Sequence, residues 1–202
     1  MTHGHTHLVL LSVLVTALAG CGSSPRESFY TLSAGAGTET VSATTPVAGL
    51  SVAVDPVTLP DVVDRPQLVV HAGANRVTIL EQHRWAEPLK SAIPRVIAEN
   101  LAQLLGTSKV SAYPQLPTGD PDYRVHVDIQ RFESVPGQTV TIDARWTVRH
   151  GTGEPRAGQS LVRESAGGGD YEALAAAYSR ALATVSRDIA VAIRSYGSAP
   201  EK

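Results

Sequence analysis

Cys21 is the only cysteine of the chain, and its thiol is the side chain best placed for covalent chemistry. It follows the short run Leu-Ala-Gly at 18–20, which closes an apolar segment, residues 8–17, made almost wholly of Leu, Val and Ala. A segment of this length is typical of a signal-peptide core, because a helix that spans a bilayer needs roughly 20 apolar residues. Small residues before the cysteine suit a peptidase that reads an extended backbone. The pattern predicts cleavage between Gly20 and Cys21.

The residues around Cys21 resemble the bacterial lipobox, in which the cysteine thiol receives a diacylglycerol and becomes residue one of the mature protein. We therefore expect residues 1–20 to be a lipoprotein signal peptide and Cys21 to carry a covalent lipid. One feature departs from the usual pattern, since no Lys or Arg precedes Leu8. Two plainer interpretations stay open: a small buried cysteine, and an ordinary secretory signal that is cut nearby.

The histidines offer little metal chemistry. His3, His5 and His7 have a spacing that would suit a metal in a mature protein, but they lie in the segment expected to be removed. The others are scattered, without a second ligand at metal-site spacing; they are His71, His83, His126 and His150. We predict no metal site.

Motifs for catalysis are also missing from the sequence. It has no Gly-x-Ser-x-Gly elbow, no phosphate loop and no dinucleotide fingerprint. The glycines 167–169 precede a predicted helix, but Asp170 at the cap position favours a plain linker over an anion site. We predict a protein that is not an enzyme, with no catalytic residues and no cofactor besides the lipid on Cys21.

A less ordinary segment is Arg84-Trp85-Ala86-Glu87, in which one of two tryptophans lies among charges at a predicted strand-to-helix junction. The simpler interpretation is that Trp85 fills the edge of the core while Glu87 interacts favourably with the helix dipole. The alternative is a surface that docks a partner, because Trp and Arg are favoured anchors at interfaces. The candidate docking residues are Arg84, Trp85 and Glu87.

The charge balance excludes one class of partner. Of 202 residues, 17 are Lys or Arg and 19 are Asp or Glu, which leaves a net charge of −2. Nucleic-acid binding is not expected without a basic surplus. No second apolar segment is long enough to cross a membrane, so we expect the lipid to anchor the protein.

Hydrophobic periodicity predicts eight strands. Alternation is clearest over 123–130 and 140–149, on either side of a turn at Pro136-Gly137, and a strand at 159–165 completes an antiparallel meander. The other predicted strands are 28–32, 50–54, 67–71, 76–80 and 109–113.

Helical spacing of apolar residues covers 93–105 and 171–196. Pro88 suits the first turn of the earlier helix, whereas Pro94 is expected to kink or restart it. We predict an α+β fold, a mostly antiparallel sheet with two long helices packed on one face.

Four segments are expected along the chain. Residues 1–20 are the signal peptide, and 21–46 hold the lipidated cysteine, a tether and the first strand with a flexible loop. Residues 47–197 form the main domain, whose fold includes strand 28–32, and 198–202 are a tail.

Five stretches of the sequence stand out in combination. They are the lipobox, Ser28-Phe29-Tyr30-Thr31-Leu32, the segment 59–70 (Leu-Pro-Asp-Val-Val-Asp-Arg-Pro-Gln-Leu-Val-Val), the segment 84–89 (Arg-Trp-Ala-Glu-Pro-Leu) and Ala98-Glu99-Asn100-Leu101. Together they resemble the PqiC-like ABC-type transport auxiliary lipoproteins. The resemblance covers most of the mature chain and is densest from Leu59 to Leu105, whereas the C-terminal half matches mainly in pattern.

The resemblance implies a periplasm-facing, lipid-anchored protein of the outer membrane. Gly22 after the cysteine, in place of Asp, is consistent with that sorting in bacteria that use the rule. It implies a non-catalytic subunit of an Mce-domain system that moves lipids between membranes and supports envelope integrity. The partners would be an Mce-domain protein and its permease and ATPase, and a tube-like partner would make a homo-oligomeric ring plausible.

The sequence leaves three alternatives open. A lipoprotein partner of an outer-membrane assembly machine could share this architecture, and the protein that co-purifies would distinguish it. A free-standing structural lipoprotein of the envelope would need no transport partner. An envelope hydrolase is least favoured, because no nucleophile–base pair or carboxylate pair stands out.

Overall fold

The computed structural model of the protein describes residues 26–36, 49–115 and 119–196. The predicted signal peptide 1–20, the cleavage and lipidation site at Gly20 and Cys21, the histidines His3, His5 and His7, and the tail 198–202 lie outside these residues. The elements are β1 (Ser28–Tyr30), β2 (Val52–Val54), β3 (Gln67–Gly73), β4 (Arg76–Trp85), α1 (Leu89–Leu105), β5 (Val110–Ala112), β6 (Tyr123–Val135), β7 (Thr139–His150), β8 (Arg156–Ser165) and α2 (Tyr171–Tyr196).

The strands form two sheets rather than the single sheet that was expected. One has five strands in the order β5-β2-β6-β7-β8, and the other has three in the order β1-β4-β3. The α+β class is confirmed, but both sheets are mixed, because β1–β4, β2–β5 and β2–β6 pair in parallel. Alternation along a strand reveals its buried face and not its neighbour, and the long connections in this chain permit parallel pairing.

The predicted antiparallel meander is β6–β7–β8. A register shift between Ile129 and Arg131 places an extra residue in β6. Before the shift Val125, Val127 and Ile129 are buried, and after it Phe132 is buried instead of its odd-numbered neighbours. The bulge therefore changes which set of alternate residues faces the core.

Both helices pack side by side on one face of the five-stranded sheet, as predicted. Helix α2 lies over β7 and β8, and α1 lies over β2 and β5. Helix α1 runs unbroken from Leu89 although Pro94 lies inside it, so the restart considered at that proline does not occur. It ends at Gly106, whose φ of 68° is left-handed and whose N–H bonds to the Ala102 carbonyl.

A buried amide joins the two helices to the segment that follows β1. Asn100 of α1 is fully buried; its Nδ2 donates to Ser186 Oγ of α2 at 3.4 Å, and its Oδ1 accepts from the Gly35 N–H at 2.9 Å. The Ser33 N–H donates to Ser179 Oγ at 3.1 Å. These bonds satisfy buried polar groups that would otherwise be costly, and they fix the chain leaving β1 against both helices.

A glycine in β8 makes room for the second tryptophan. The Trp146 ring lies on Gly158, and a Cβ built at Gly158 would be 2.3 Å from ring carbons. The indole N–H donates to Ser160 Oγ at 3.0 Å, and that hydroxyl donates to Asp188 of α2 at 2.6 Å. The ring and this polar chain together attach the edge strand β8 to the helix.

Gly158→Ala is expected to lower the free energy of unfolding by about 1–3 kcal/mol, because the methyl group displaces the Trp146 ring. Gly73→Ala is the matched control, since Gly73 also lies in a strand and a Cβ there meets nothing within 4 Å. Urea unfolding of both variants measures the difference. Equal stabilities of the two variants would show that the Trp146 ring moves aside without cost.

An Asp–Ser contact fixes the starts of β2 and β6. Asp122 Oδ2 accepts from both the N–H and the hydroxyl of Ser51, each at 2.7 Å, and the Asp122 N–H donates to Ser51 Oγ at 2.9 Å. The hydrogen bond from the Ser51 side chain is the main cause that lowers the pKa of Asp122 below its ordinary value.

Ser51→Ala is expected to lower the unfolding free energy at neutral pH by about 1 kcal/mol. Because the folded-state pKa of Asp122 is depressed, its stabilisation is present above the unfolded-state pKa and is lost as the pH falls through the folded-state pKa. The stability difference between wild type and Ser51→Ala, measured with urea, should therefore shrink as the pH is lowered towards about 2. Ser108→Ala, at an exposed site, should change nothing, and a pH-independent difference at Ser51 would contradict this account.

Candidate functional site

Two sequence stretches that are far apart in the chain meet at the end of β4. The Trp85 N–H donates to the Pro66 carbonyl at 2.7 Å, and Lys90 Nζ donates to Asp64 Oδ2 at 2.6 Å. Residues 64–66 and 85–89 line an open cavity of about 360 Å³ between them, which we call the junction groove. It lies where the first turn of α1 meets the strand that precedes it, and it contains the residues carrying the sequence resemblance.

Trp85 is a core residue at the base of this groove. Its side chain is only 7% exposed and meets Phe132 and Tyr178 edge-on, with ring centroids 6.2 and 6.0 Å away. Burial raises the pKa of Tyr178 far above its ordinary value, so that phenol stays neutral. The geometry fits the simpler interpretation of Trp85, and it leaves little of the indole for a partner to contact.

The two charged candidates have different surroundings. Glu87 lines the junction groove and accepts a hydrogen bond from Arg95 of α1. Arg84 lies outside the groove, 3.2 Å from Glu27, and about one third of its side chain is exposed. The structure therefore does not bring Arg84, Trp85 and Glu87 together as one exposed patch, and the docking role stays a prediction that concerns the groove's rim.

Ion pairs occupy much of that rim. Arg95 also reaches Glu99 at 3.1 Å and the Leu32 carbonyl at 3.2 Å, and its hydrogen bond with Glu87 is the main cause that raises its pKa. The hydrogen bond with Asp64 likewise raises the pKa of Lys90. Each of these cations has a carboxylate beside it. The charges on the rim therefore largely balance, and the rim does not create a strong potential of one sign.

One polar atom of the groove has no partner among the described residues. Arg65 Nε is buried and makes no hydrogen bond there, although the Arg65 N–H donates to the Val63 carbonyl at 2.8 Å. Sequence reasoning assigned no role to Arg65, Asp64 or Lys90. The resemblance over 59–70 was the available signal, but it could not show that this segment lies against the start of α1.

Two histidines of the described residues pack against aromatic rings, whereas His126 is exposed on its strand. His83 Nδ1 lies 2.8 Å from the Tyr30 hydroxyl, and its ring lies 4.3 Å from that of Tyr171. His150 stacks on Tyr123 at 4.7 Å. Within residues 26–36, 49–115 and 119–196, no three His, Cys, Asp or Glu side chains are grouped as metal ligands would be.

Asp170 caps α2, since its Oδ1 accepts from the Ala173 N–H at 2.8 Å. The N-cap prediction is confirmed, and the carboxylate occupies the helix end where an anion would otherwise bind. Neither helix of the described residues is long and apolar enough to cross a membrane.

Comparison with known proteins identifies one family. The family model described as ABC-type transport auxiliary lipoprotein component matches residues 30–190, most of the chain. A solved structure of an uncharacterized protein is similar with a TM-score of 0.70 and 19% identity, covering 84% of this chain and 99% of the other. Protein XCC0632 from Xanthomonas campestris, described as DUF330, is similar with a TM-score of 0.61 and 18% identity over 81% of this chain and 92% of its own. At such identities the likeness concerns the fold alone, and curated proteins give no significant match.

Trp85→Ala is expected to lower the free energy of unfolding by about 3–5 kcal/mol, because it leaves a cavity beside Phe132 and Tyr178. Arg84→Ala, which removes a partly exposed ion pair with Glu27 and an exposed hydrogen bond to the Glu81 carbonyl, is expected to lower the free energy of unfolding by about 1 kcal/mol or less. Urea unfolding followed by circular dichroism measures both. A small loss for Trp85→Ala would show that the indole contributes little to the core and would revive it as a surface anchor.

Proposed function

The chain belongs to the ABC-type transport auxiliary lipoprotein family, and from this we propose that it is the lipid-anchored, non-catalytic subunit of an Mce-type lipid transport system. In this proposal it faces the periplasm from the outer membrane and helps lipids pass between the two membranes. A separate permease and ATPase supply the energy. The observation that carries the proposal is the family match over residues 30–190 in a chain whose Cys21 closes a lipobox-like segment.

The anchor in this proposal is a diacylglycerol on Cys21. Each buried methylene contributes about 0.8 kcal/mol, so several acyl chains hold a protein durably where one would be marginal. Strand β1 begins at Ser28, so six residues, 22–27, lie between it and Cys21, and the seven Cα-to-Cα steps span at most about 25 Å. A tether of this length keeps the domain beside the membrane that holds the lipid.

The docking site in this proposal is the junction groove. It is the place where the two densest parts of the family resemblance, 59–70 and 84–89, come into contact. Its rim carries both signs of charge, with Asp64 and Glu87 beside Lys90 and Arg95. Mixed charges of this kind help a docking surface to select one partner and to fix its orientation, and they contribute less to long-range attraction. Such a surface suits a subunit that binds one specific partner.

The family's description as an auxiliary component supports a role without catalysis. The charged groups on the groove's rim, Asp64 with Lys90 and Glu87 with Arg95, are engaged in ion pairs, whereas a catalytic site would need a nucleophile and a base that face each other. Envelope integrity would then depend on this protein through transport and not through a reaction of its own.

In vivo cross-linking followed by capture through a tag after Lys202 tests the proposal. We expect the wild-type chain to be recovered from membranes with an Mce-domain protein. Cys21→Ser is expected to be unlipidated by mass spectrometry, to leave the membrane fraction and to cause an envelope defect, whereas Ser24→Ala should behave as wild type.

The same capture distinguishes the alternatives. Recovery of an outer-membrane assembly barrel without an Mce-domain protein would assign the chain to an assembly machine. Recovery of no transport or assembly partner would favour a free-standing envelope lipoprotein. A Cys21→Ser chain that stays in the membrane and keeps full function would contradict the anchor.

A further inference from the structure

Several chain segments meet at the end of the molecule where β1 begins. The Ala166 N–H after β8 donates to the Gln138 carbonyl of the β6–β7 turn at 3.0 Å, and His83 beside the start of β1 contacts Tyr171, the first residue of α2. Residues 71–74, at the tip of the β3–β4 hairpin, line an open cavity of about 610 Å³ together with residues 133–136, at the end of β6, and with the start of β7. The chain that leads back to Cys21 leaves the fold at this end.

The β3–β4 hairpin extends beyond the start of β1. Ser28 is level with His83 in the parallel β1–β4 pair, and β4 begins seven residues earlier, at Arg76. At about 3.3 Å per residue, the hairpin tip lies roughly 20 Å past Ser28, towards the side from which the tether enters. This reach matches the maximum span of about 25 Å between Ser28 and Cys21.

The outer part of this hairpin exposes aliphatic side chains. Val77 and Ile79, two residues apart on β4, are 38% and 37% exposed. Val62, also exposed, lies near Val77 in a small groove of about 160 Å³ that includes Val69. Exposed apolar side chains grouped in this way mark a contact surface more often than isolated ones do.

The charge of the hairpin fits an anionic surface. Residues 67–80 contain no Asp or Glu, and Arg76 carries the one fixed charge of this stretch. The nearest carboxylates along the chain are Asp64 and Glu81, at the base of the hairpin. From β6, Glu133 lines the cavities beside the hairpin, and Arg131 lines the smaller of them, so these two residues add one charge of each sign. Aliphatic residues beside a cation are what the headgroup region of a bilayer with acidic lipids accommodates.

We propose that Val77 and Ile79 at the β3–β4 hairpin contact the headgroup region of the bilayer that holds the Cys21 lipid. The inference rests on the lipidation of Cys21 in the proposed function, because the short tether is what brings the hairpin to the surface. The contact orients the domain: the β1 end faces the lipid, and the C-terminal end of α2 faces away.

Site-directed fluorescence quenching in proteoliposomes tests the orientation. The thiol of Cys21 is blocked by its lipid, so Val77→Cys or Ile79→Cys supplies the only free thiol for a bimane label. Val191→Cys is the matched control, because Val191 is 60% exposed and lies about 30 Å along α2 from Tyr171. The purified lipidated chain is reconstituted into phosphatidylethanolamine–phosphatidylglycerol vesicles that contain doxyl-labelled lipid quenchers.

We expect quenching at positions 77 and 79 to exceed that at 191 by about threefold or more. Equal quenching at the three positions, in protein that sediments with the vesicles, would overturn the hairpin contact and leave the anchor intact. Label at 77 that is shielded from aqueous iodide but not quenched by lipid would place a second copy of the chain on the hairpin, since the vesicles hold no other protein, and would overturn the proposal equally. Wild-type protein that fails to sediment with the vesicles would overturn the anchor and this inference together.

Discussion

The contact between Trp85, Phe132 and Tyr178 determines how the parts of this protein are arranged. Phe132 stacks on Tyr178 with ring centroids 4.0 Å apart, and Trp85 meets both rings edge-on. The three residues come from the three-stranded sheet, the five-stranded sheet and α2, so a single aromatic cluster joins elements that share few backbone hydrogen bonds. The bulge after Ile129 is a precondition, because without it Phe132 would point away from the helices. The junction groove is the outer side of this cluster and takes its shape from it.

A second set of contacts fixes the segment that follows β1, on the side of that cluster away from the start of β1. Asn100 bonds to α2 and to the segment after β1, and Ser179 binds the same segment. Burying the Asn100 amide without hydrogen bonds would cost free energy. Its two hydrogen bonds therefore favour the one arrangement of that segment in which both are made. Strand β1 is therefore held rigidly although it has only three residues. Because the chain from Cys21 enters the fold at β1, these bonds fix where that chain meets the domain.

The sequence allowed the helices, the meander and the fold class to be predicted, because alternation and helical spacing are local properties. It did not allow the pairing to be predicted: β1 and β2 have three residues each, and their parallel neighbours, β4, β5 and β6, lie far along the chain. The site was predicted in part. Periodicity placed Trp85 at a strand-to-helix junction, but whether its ring pointed inward depended on Phe132 and Tyr178, 47 and 93 residues away. Asp64 and Lys90 form an ion pair across a fold contact that no local pattern reveals.

Helix α2 has 26 residues, which corresponds to a length of about 39 Å. Its first residue packs beside the start of β1, and its last, Tyr196, bonds through its hydroxyl to the Val148 and Glu154 carbonyls at the opposite end. The length of this helix thus sets the distance between the two ends of the domain. If Cys21 and the β3–β4 hairpin hold the near end at a bilayer, a protein that engages the far end is kept at a height above the lipid that adds the helix length of about 39 Å to the roughly 20 Å by which the hairpin passes Ser28. Changing that height would require a change in the length of α2, which packs along most of the core. The height therefore depends on the fold more than on the tether.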